Sequence, residues 1–512
     1  MPIAPLSTSL LLVAGLILPM GTAAAQRATS PWPAFDAYVQ QGMRDWRVPG
    51  LSIVVVRNDS VVFLKGYGQR TLGAAGPVDP QTLFGIMSTT KAMTAMALAM
   101  LVDEGQLRWD DPVTKWLPAF QTADPLVTRD LRVVDLLTHN SGLPGADLLW
   151  VRGDLDEAEV LRRLRGLAPT YPLRGGFIYH NLMYGVAGAV IAQASGLSWA
   201  EFLQQRLFAP LGMTRTFATH AAMAAARDAN VSSAHYRIRD TVRVIAEQSV
   251  DRVPAAGAVW STAADMGRWM RFLLDSTRVN GRRLVSDSAF RRLFQPQSFV
   301  SEEEFYPTAR LTKPHWTTYG LGWFQQDYRG EMVQMHTGSL DGRTAIIGLI
   351  PDRRLGVYVF GNLDHAELRH ALLWKTLDLL LGAPERDWSR ELLALYDARR
   401  ARADSARRGA ESTRLVGTSP SLPLERYAGR FEHPVWGDIE ISANGGALRL
   451  RAGTNPMTVG PLEHWHYDTF RAALGDGRDA PLMVTFALDA RGAPASLTLM
   501  GERFTRAAAA GP

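Results

Sequence analysis

The sequence predicts an α/β (α+β) fold in which an antiparallel sheet is flanked by helices and carries an inserted helical subdomain, with a small all-β domain after it. Three observations carry this expectation. β-rich runs stand at both ends of residues 33–385; a mostly helical stretch from about 110 to 275 separates them; and from 421 onward short alternating runs are punctuated by glycine. At 512 residues the chain is too long for one compact core. Its 46% hydrophobic and 21% charged residues fit a folded chain rather than a disordered one.

The elements follow in order. An apolar run, Leu10 to Leu18, leads to Ala23-Ala24-Ala25 and predicts a cleaved secretory signal over 1–25, hence a periplasmic or secreted protein. No later run has 18 uninterrupted apolar residues, so no integral membrane segment is expected in the mature chain. A helix over 34–46 precedes a hairpin whose strands, 51–56 and 61–65, turn at Asn58-Asp59-Ser60. After Ser88 comes a helix apolar nearly all round, at 93, 96, 97, 100 and 101 and most positions between. It should be buried and should end before Gly105. Helices over 187–194, closed by Gly196, and over 265–274 follow. Strands 344–350 and 355–360 flank Pro351-Asp352-Arg353-Arg354 as a second hairpin, and a helix over 365–381 completes the unit. Residues 386–420 read as a helical end and a linker, because 399–420 is rich in Arg, Ala, Ser and Gly without apolar periodicity. Runs such as Asp438-Ile439-Glu440-Ile441 make 421–507 the all-β unit.

Composition removes several classes of chemistry. With no cysteine, disulfides, thiol nucleophiles, cysteine-bound zinc and iron-sulfur clusters are excluded. The net charge is +5, but much of the arginine is spread singly, the densest run lies in the 399–408 connector, and no nucleic-acid-binding motif accompanies it. His464-Trp465-His466 lacks a third ligand, so no metal is expected, and no glycine pattern fits a nucleotide cofactor. No G-x-S-x-G elbow is present.

The candidate chemistry begins at Ser88, three residues before Lys91, one of five lysines among 55 basic residues. Three residues apart on a helix, the amine can reach the hydroxyl and act as base to a serine nucleophile. A Ser-x-x-Lys alone carries little weight, but its surroundings add to it. In Tyr179-His180-Asn181 an extended backbone turns the outer side chains to one side. That brings together a phenol able to relay protons and an amide able to hold a substrate carbonyl. In His336-Thr337-Gly338-Ser339 the glycine lets a backbone approach the sheet closely, and the Ser339 N-H can join that of Ser88 as an oxyanion hole.

With these motifs the sequence resembles the serine β-lactamase and penicillin-recognising enzymes, in the branch of class C β-lactamases, D,D-peptidases, D-aminopeptidases and related esterases. The likeness spans about 33–385. It adds Leu136-Leu137-Thr138-His139-Asn140-Ser141-Gly142-Leu143, Pro210-Leu211-Gly212-Met213, Ala256 to Thr262 and Tyr319-Gly320-Leu321-Gly322-Trp323 in the family's order. Residues from 421 on are similar to a small β domain that trails such hydrolases. The resemblance implies a β-lactamase/transpeptidase-like fold and two-step acyl transfer, without a cofactor, by an exported serine hydrolase acting on an amide or ester of a small molecule or peptide. Ser88, Lys91 and Tyr179 would be catalytic, and Asn181, His336, Thr337, Gly338 and Ser339 would bind substrate. Lysine and tyrosine both remain open as the base, and the oligomeric state is not legible. His336 stands where class C β-lactamases carry lysine, which points away from a true β-lactamase; a non-catalytic cell-wall-peptide binding module is the other alternative.

Overall fold

The computed structural model describes residues 30–508 except Arg239, Ser276 and Asn280, so the expected signal at 1–25 lies outside the described residues. Helix α1 (Trp32–Trp46) leads into the hairpin β1 (Gly50–Arg57) and β2 (Ser60–Gly68). Helices α2 (Thr90–Asp103), α3 (Asn181–Ser195) and α4 (Ala263–Leu274) are the longer helices of the middle region. Six further strands then form: β3 (Ser298–Phe299), β4 (Thr317–Tyr319), β5 (Phe324–Tyr328), β6 (Glu331–Leu340), β7 (Arg343–Ile350) and β8 (Leu355–Gly361). They join the N-terminal hairpin in one antiparallel sheet of order β2-β1-β8-β7-β6-β5-β4-β3, with Ile53 opposite Val359 and His336 opposite Ile347. Strands from the two ends of the larger domain, β1 and β8, thus pair side by side.

Both faces of that sheet are covered, which is why β1, β7 and β8 read as nearly continuous apolar runs instead of alternating ones. Val54, Val56, Ile347 and Tyr358 pack with α2 and α4, while Ile53, Val55, Ile346 and Val357 pack with α1 and with α5 (Leu368–Leu381). Twelve of the fourteen residues of helix α2 are buried, Thr90 to Leu101, as its mostly apolar sequence requires. No single helix among the described residues is long and apolar enough to cross a membrane.

One expectation is corrected. Residues 399–412 are not linker: a single helix α6 runs from Trp388 to Ser412. Apolar periodicity is absent because most of this helix faces solvent. Alanine and arginine have high helix propensity, and the pairs Asp397–Arg400 and Asp404–Arg407 lie three residues apart along it.

The C-terminal unit is a closed eight-stranded antiparallel barrel: β9 (Gly429–His433), β10 (Gly437–Asn444), β11 (Ala447–Arg451), β12 (Val459–His466), β13 (Thr469–Ala472), β14 (Leu482–Leu488), β15 (Pro494–Leu499) and β16 (Glu502–Arg506). Alternate residues such as Ile439 and Ile441, Leu448 and Leu450 fill its interior. Arg152 grips it by donating to the carbonyls of Trp436 and Asp438 at 3.0 and 2.9 Å, and Arg163 donates to that of Val435 at 2.9 Å. On the other side Arg478 meets Asp341, in the β6–β7 turn, at 2.9 Å.

Candidate active site

Ser88 lies in one tight 3-10 turn, Met87–Thr89, that opens directly into α2. Met87 has φ 45, a left-handed conformation a non-glycine residue adopts at a cost. Ser88 remains partly accessible, while Lys91, one turn on, is fully buried. The Lys91 amine lies 3.1 Å from Ser88 Oγ, 2.8 Å from Asn181 Oδ1 and 2.8 Å from the Ala256 carbonyl. It also sits 4.8 Å from the centre of the Tyr179 ring and 5.1 Å from that of Tyr184. The structure therefore brings Ser88 and Lys91 together with Tyr179 and Asn181 from two separate stretches of sequence, and the Ala256 carbonyl joins them from a third.

Burial decides the charge of this lysine. Desolvation pulls its pKa down to about 7, against which the Asp147 carboxylate acts to raise it. Asp147, which no motif marks, accepts from Asn181 Nδ2 at 3.0 and 3.2 Å and from Trp150 Nε1 at 2.8 Å. The Asn181 amide is thus oriented at both ends, its oxygen to the amine and its nitrogen to the carboxylate. Burial pushes the Tyr179 phenol well above its ordinary range, and the adjacent Ser88 hydroxyl works against that rise. The phenol oxygen is buried without a hydrogen bond of good geometry, so it stays a neutral group facing Ser88.

The landmark segments turn out to be supports. His139, buried with φ 58, accepts the His180 N-H on Nδ1 at 3.0 Å and stacks on Tyr179 with ring centres 4.2 Å apart. It sets the backbone from which Tyr179 and Asn181 project. The turn after Val253 brings the Ala256 carbonyl to Lys91, and the Ala255 carbonyl accepts from Thr94 Oγ1 at 2.7 Å. Gly322, at φ 84, lies so close to α2 that a Cβ would come 2.9 Å from the Lys91 carbonyl.

Strand β6 runs past the serine turn with Gly338 against it: a Cβ there would strike the Ile86 carbonyl oxygen. The close approach expected at this glycine is made by the protein's own backbone. Ser339 is exposed beyond it, and Thr337 donates from its backbone N-H to the Tyr306 hydroxyl at 3.1 Å. His336, expected among the substrate-binding residues, is 1% exposed, and both ring nitrogens are engaged, with the Tyr319 hydroxyl at 3.0 Å and the Thr337 carbonyl at 2.7 Å. Burial and the nearby Lys91 hold its pKa down at about 3, so the ring is neutral and supports the strand from behind. Arg369, on α5, also holds this strand, donating to the Gly338 carbonyl at 2.5 Å and to Ser339 Oγ at 2.9 Å. Its sequence context offers no signal of that role. Among the described residues no group of three His, Asp or Glu side chains is arranged to hold a metal.

The family model Beta-lactamase matches residues 35–381, and a domain of unknown function, DUF3471, matches 413–508. The chain is 28% identical to Unguisins hydrolase ungD of Aspergillus violaceofuscus, over 94% of this chain and 90% of that protein. It is 24% identical to Protein flp of Staphylococcus aureus, over 64% and 62% of the two chains. Among solved structures, the octameric penicillin-binding protein homologue from Pyrococcus abyssi superposes with a TM-score of 0.62 at 24% identity, covering 93% of this chain and 99% of that one. A family match that spans most of the chain, on the fold described above, makes this protein a member of the Beta-lactamase family.

Proposed function

We propose that the protein is an exported serine hydrolase that forms an acyl-enzyme on Ser88 and cleaves an amide or ester in a small molecule or peptide. The observation that carries this is the buried Lys91 amine, 3.1 Å from Ser88 Oγ with its pKa drawn down to about 7. At neutral pH a large share of it is unprotonated and basic. In the first step Lys91 takes the hydroxyl proton, Ser88 Oγ bonds to the substrate carbonyl carbon, and the oxyanion is held by the N-H groups of Ser88 and Ser339. The C–N or C–O bond then breaks, and the leaving group departs with a proton delivered through Tyr179. Water, deprotonated by the same amine, hydrolyses the ester of Ser88 and regenerates the hydroxyl. Of the two candidate bases, this reading chooses lysine, because a buried phenolate would lack compensation.

A true β-lactamase is the weaker reading. Where class C β-lactamases carry a lysine, this site has a neutral, fully engaged imidazole at position 336, which offers no charge to a substrate carboxylate. A silent binding module is disfavoured by the intact hydrogen bond between base and nucleophile. Export belongs to the proposal through the 1–25 segment, and the N-terminal mass of the protein recovered from its native host checks it.

The test is covalent. Intact-mass analysis after treatment with a small fluorophosphonate should give one adduct on the wild type and none on Ser88→Ala; equal labelling of both would defeat the serine assignment. A panel of chromogenic esters, peptide amides and nitrocefin then separates the substrate classes.

A further inference from the structure

The segment after Leu143 and the C-terminal barrel face each other across a cleft of about 680 Å³. Leu148 and Leu167 line one side, and Val435, Trp436 and Met500 line the other. Asp147 also lines it, and from that carboxylate three hydrogen bonds lead through Asn181 and Lys91 to the Ser88 hydroxyl. The volume falls in the range of small-molecule sites, about 300–1,000 Å³. We infer that this cleft is a specificity subsite that receives a bulky, uncharged apolar group of the substrate, with the barrel supplying one of its walls; this rests on the acyl-enzyme reading of Ser88.

Three observations support the assignment. The walls are held in place by the Arg152 and Arg163 hydrogen bonds to the Trp436 and Val435 carbonyls, and Val435 is 4% exposed within the core of the larger domain. Met500, in the turn between β15 and β16, is 68% exposed at the rim, a large apolar side chain mostly open to solvent. Its flexible thioether suits varied apolar shapes. Finally, the charged lining is two carboxylates, Asp147 and Glu502, with a histidine and no lysine or arginine. A substrate group carrying a carboxylate would find repulsion there, not a partner.

The measurement is the ratio of Ser88 labelling rates for a decyl and an ethyl fluorophosphonate, which share the fluoride leaving group. The wild type should favour the decyl reagent. Met500→Ala and Trp436→Ala should each reduce the decyl-to-ethyl ratio about fivefold or more, as loss of a buried apolar contact predicts. Tyr467→Ala, on an exposed barrel turn that does not line the cleft, is the control whose ratio should hold. Since Met500 is exposed, its truncation does not threaten folding, and thermal melts screen the tryptophan variant. Ratios unchanged in both cleft variants would overturn the subsite and leave the serine assignment standing. A carboxylate-ended reagent of decyl length that reacts as fast as the alkyl one would overturn its apolar character. Absence of Ser88 labelling by every reagent would remove the acyl-enzyme reading and this inference together.

Discussion

A lysine amine buried among Ser88, Asn181 and the Ala256 carbonyl makes the rate depend on pH in a stated direction. If the free amine is the base, as proposed, kcat/KM for a small ester should rise with pH through about 7 and level off above it. A profile flat from pH 5 to 9 would contradict lysine as base. Lys91→Ala should lower kcat by about a hundredfold or more. Asp147 raises the amine's pKa, so Asp147→Asn should move the rising limb to lower pH while its side-chain oxygen can still accept from Asn181. A limb that stays or moves up would separate Asp147 from the lysine. Ser88 and Lys91 were legible because their relation is local, three residues apart across the turn that opens α2, and Tyr179 and Asn181 because they bracket one extended residue. Asp147 was not, since its partner Asn181 is 34 residues away and only the fold joins them. His336 was legible as a position and not as a role: which way its ring turns depends on Tyr319 across the sheet.

At the scale of elements, the site is a join between the turn before α2 and the end of β6, and Gly338 is where they touch. Gly338→Ala must push the Ile86 carbonyl and the serine turn away from the strand. Its thermal midpoint should fall by several degrees and its turnover by tenfold or more, on the order expected when close packing at a site is disturbed. A variant with wild-type melting and turnover would show that the join is slack. Hairpins and the buried helix were readable because strand alternation, turn residues and an all-apolar run are strong local signals. Helix α6 was not, because a helix held by propensity and solvent-facing ion pairs leaves no apolar stripe to read. Ala401→Pro, in its middle, should reduce helical circular dichroism and cost about 3 kcal/mol of local helix stability. Unchanged ellipticity would argue that 399–412 is not helical in solution.

For the whole molecule the governing contact is between the larger domain and the barrel. Arg152 spans it with two hydrogen bonds while its guanidinium is paired to Asp154 at 2.7 Å, so Arg152→Ala removes an anchor and leaves barrel carbonyls unpartnered. Calorimetry should resolve one unfolding transition in the wild type into two in the variant; a single unshifted transition would show that other contacts suffice. On the Arg152 and Arg163 side of this joint guanidinium groups meet peptide carbonyls, neither of which changes its charge over the ordinary pH range, and the carboxylates that brace the two arginines, Asp154 and Glu159, titrate below their usual range. Acidifying the surroundings would therefore silence the amine long before it loosened that seam. The enzyme would go dormant with its halves still fastened, ready to resume when neutrality returns.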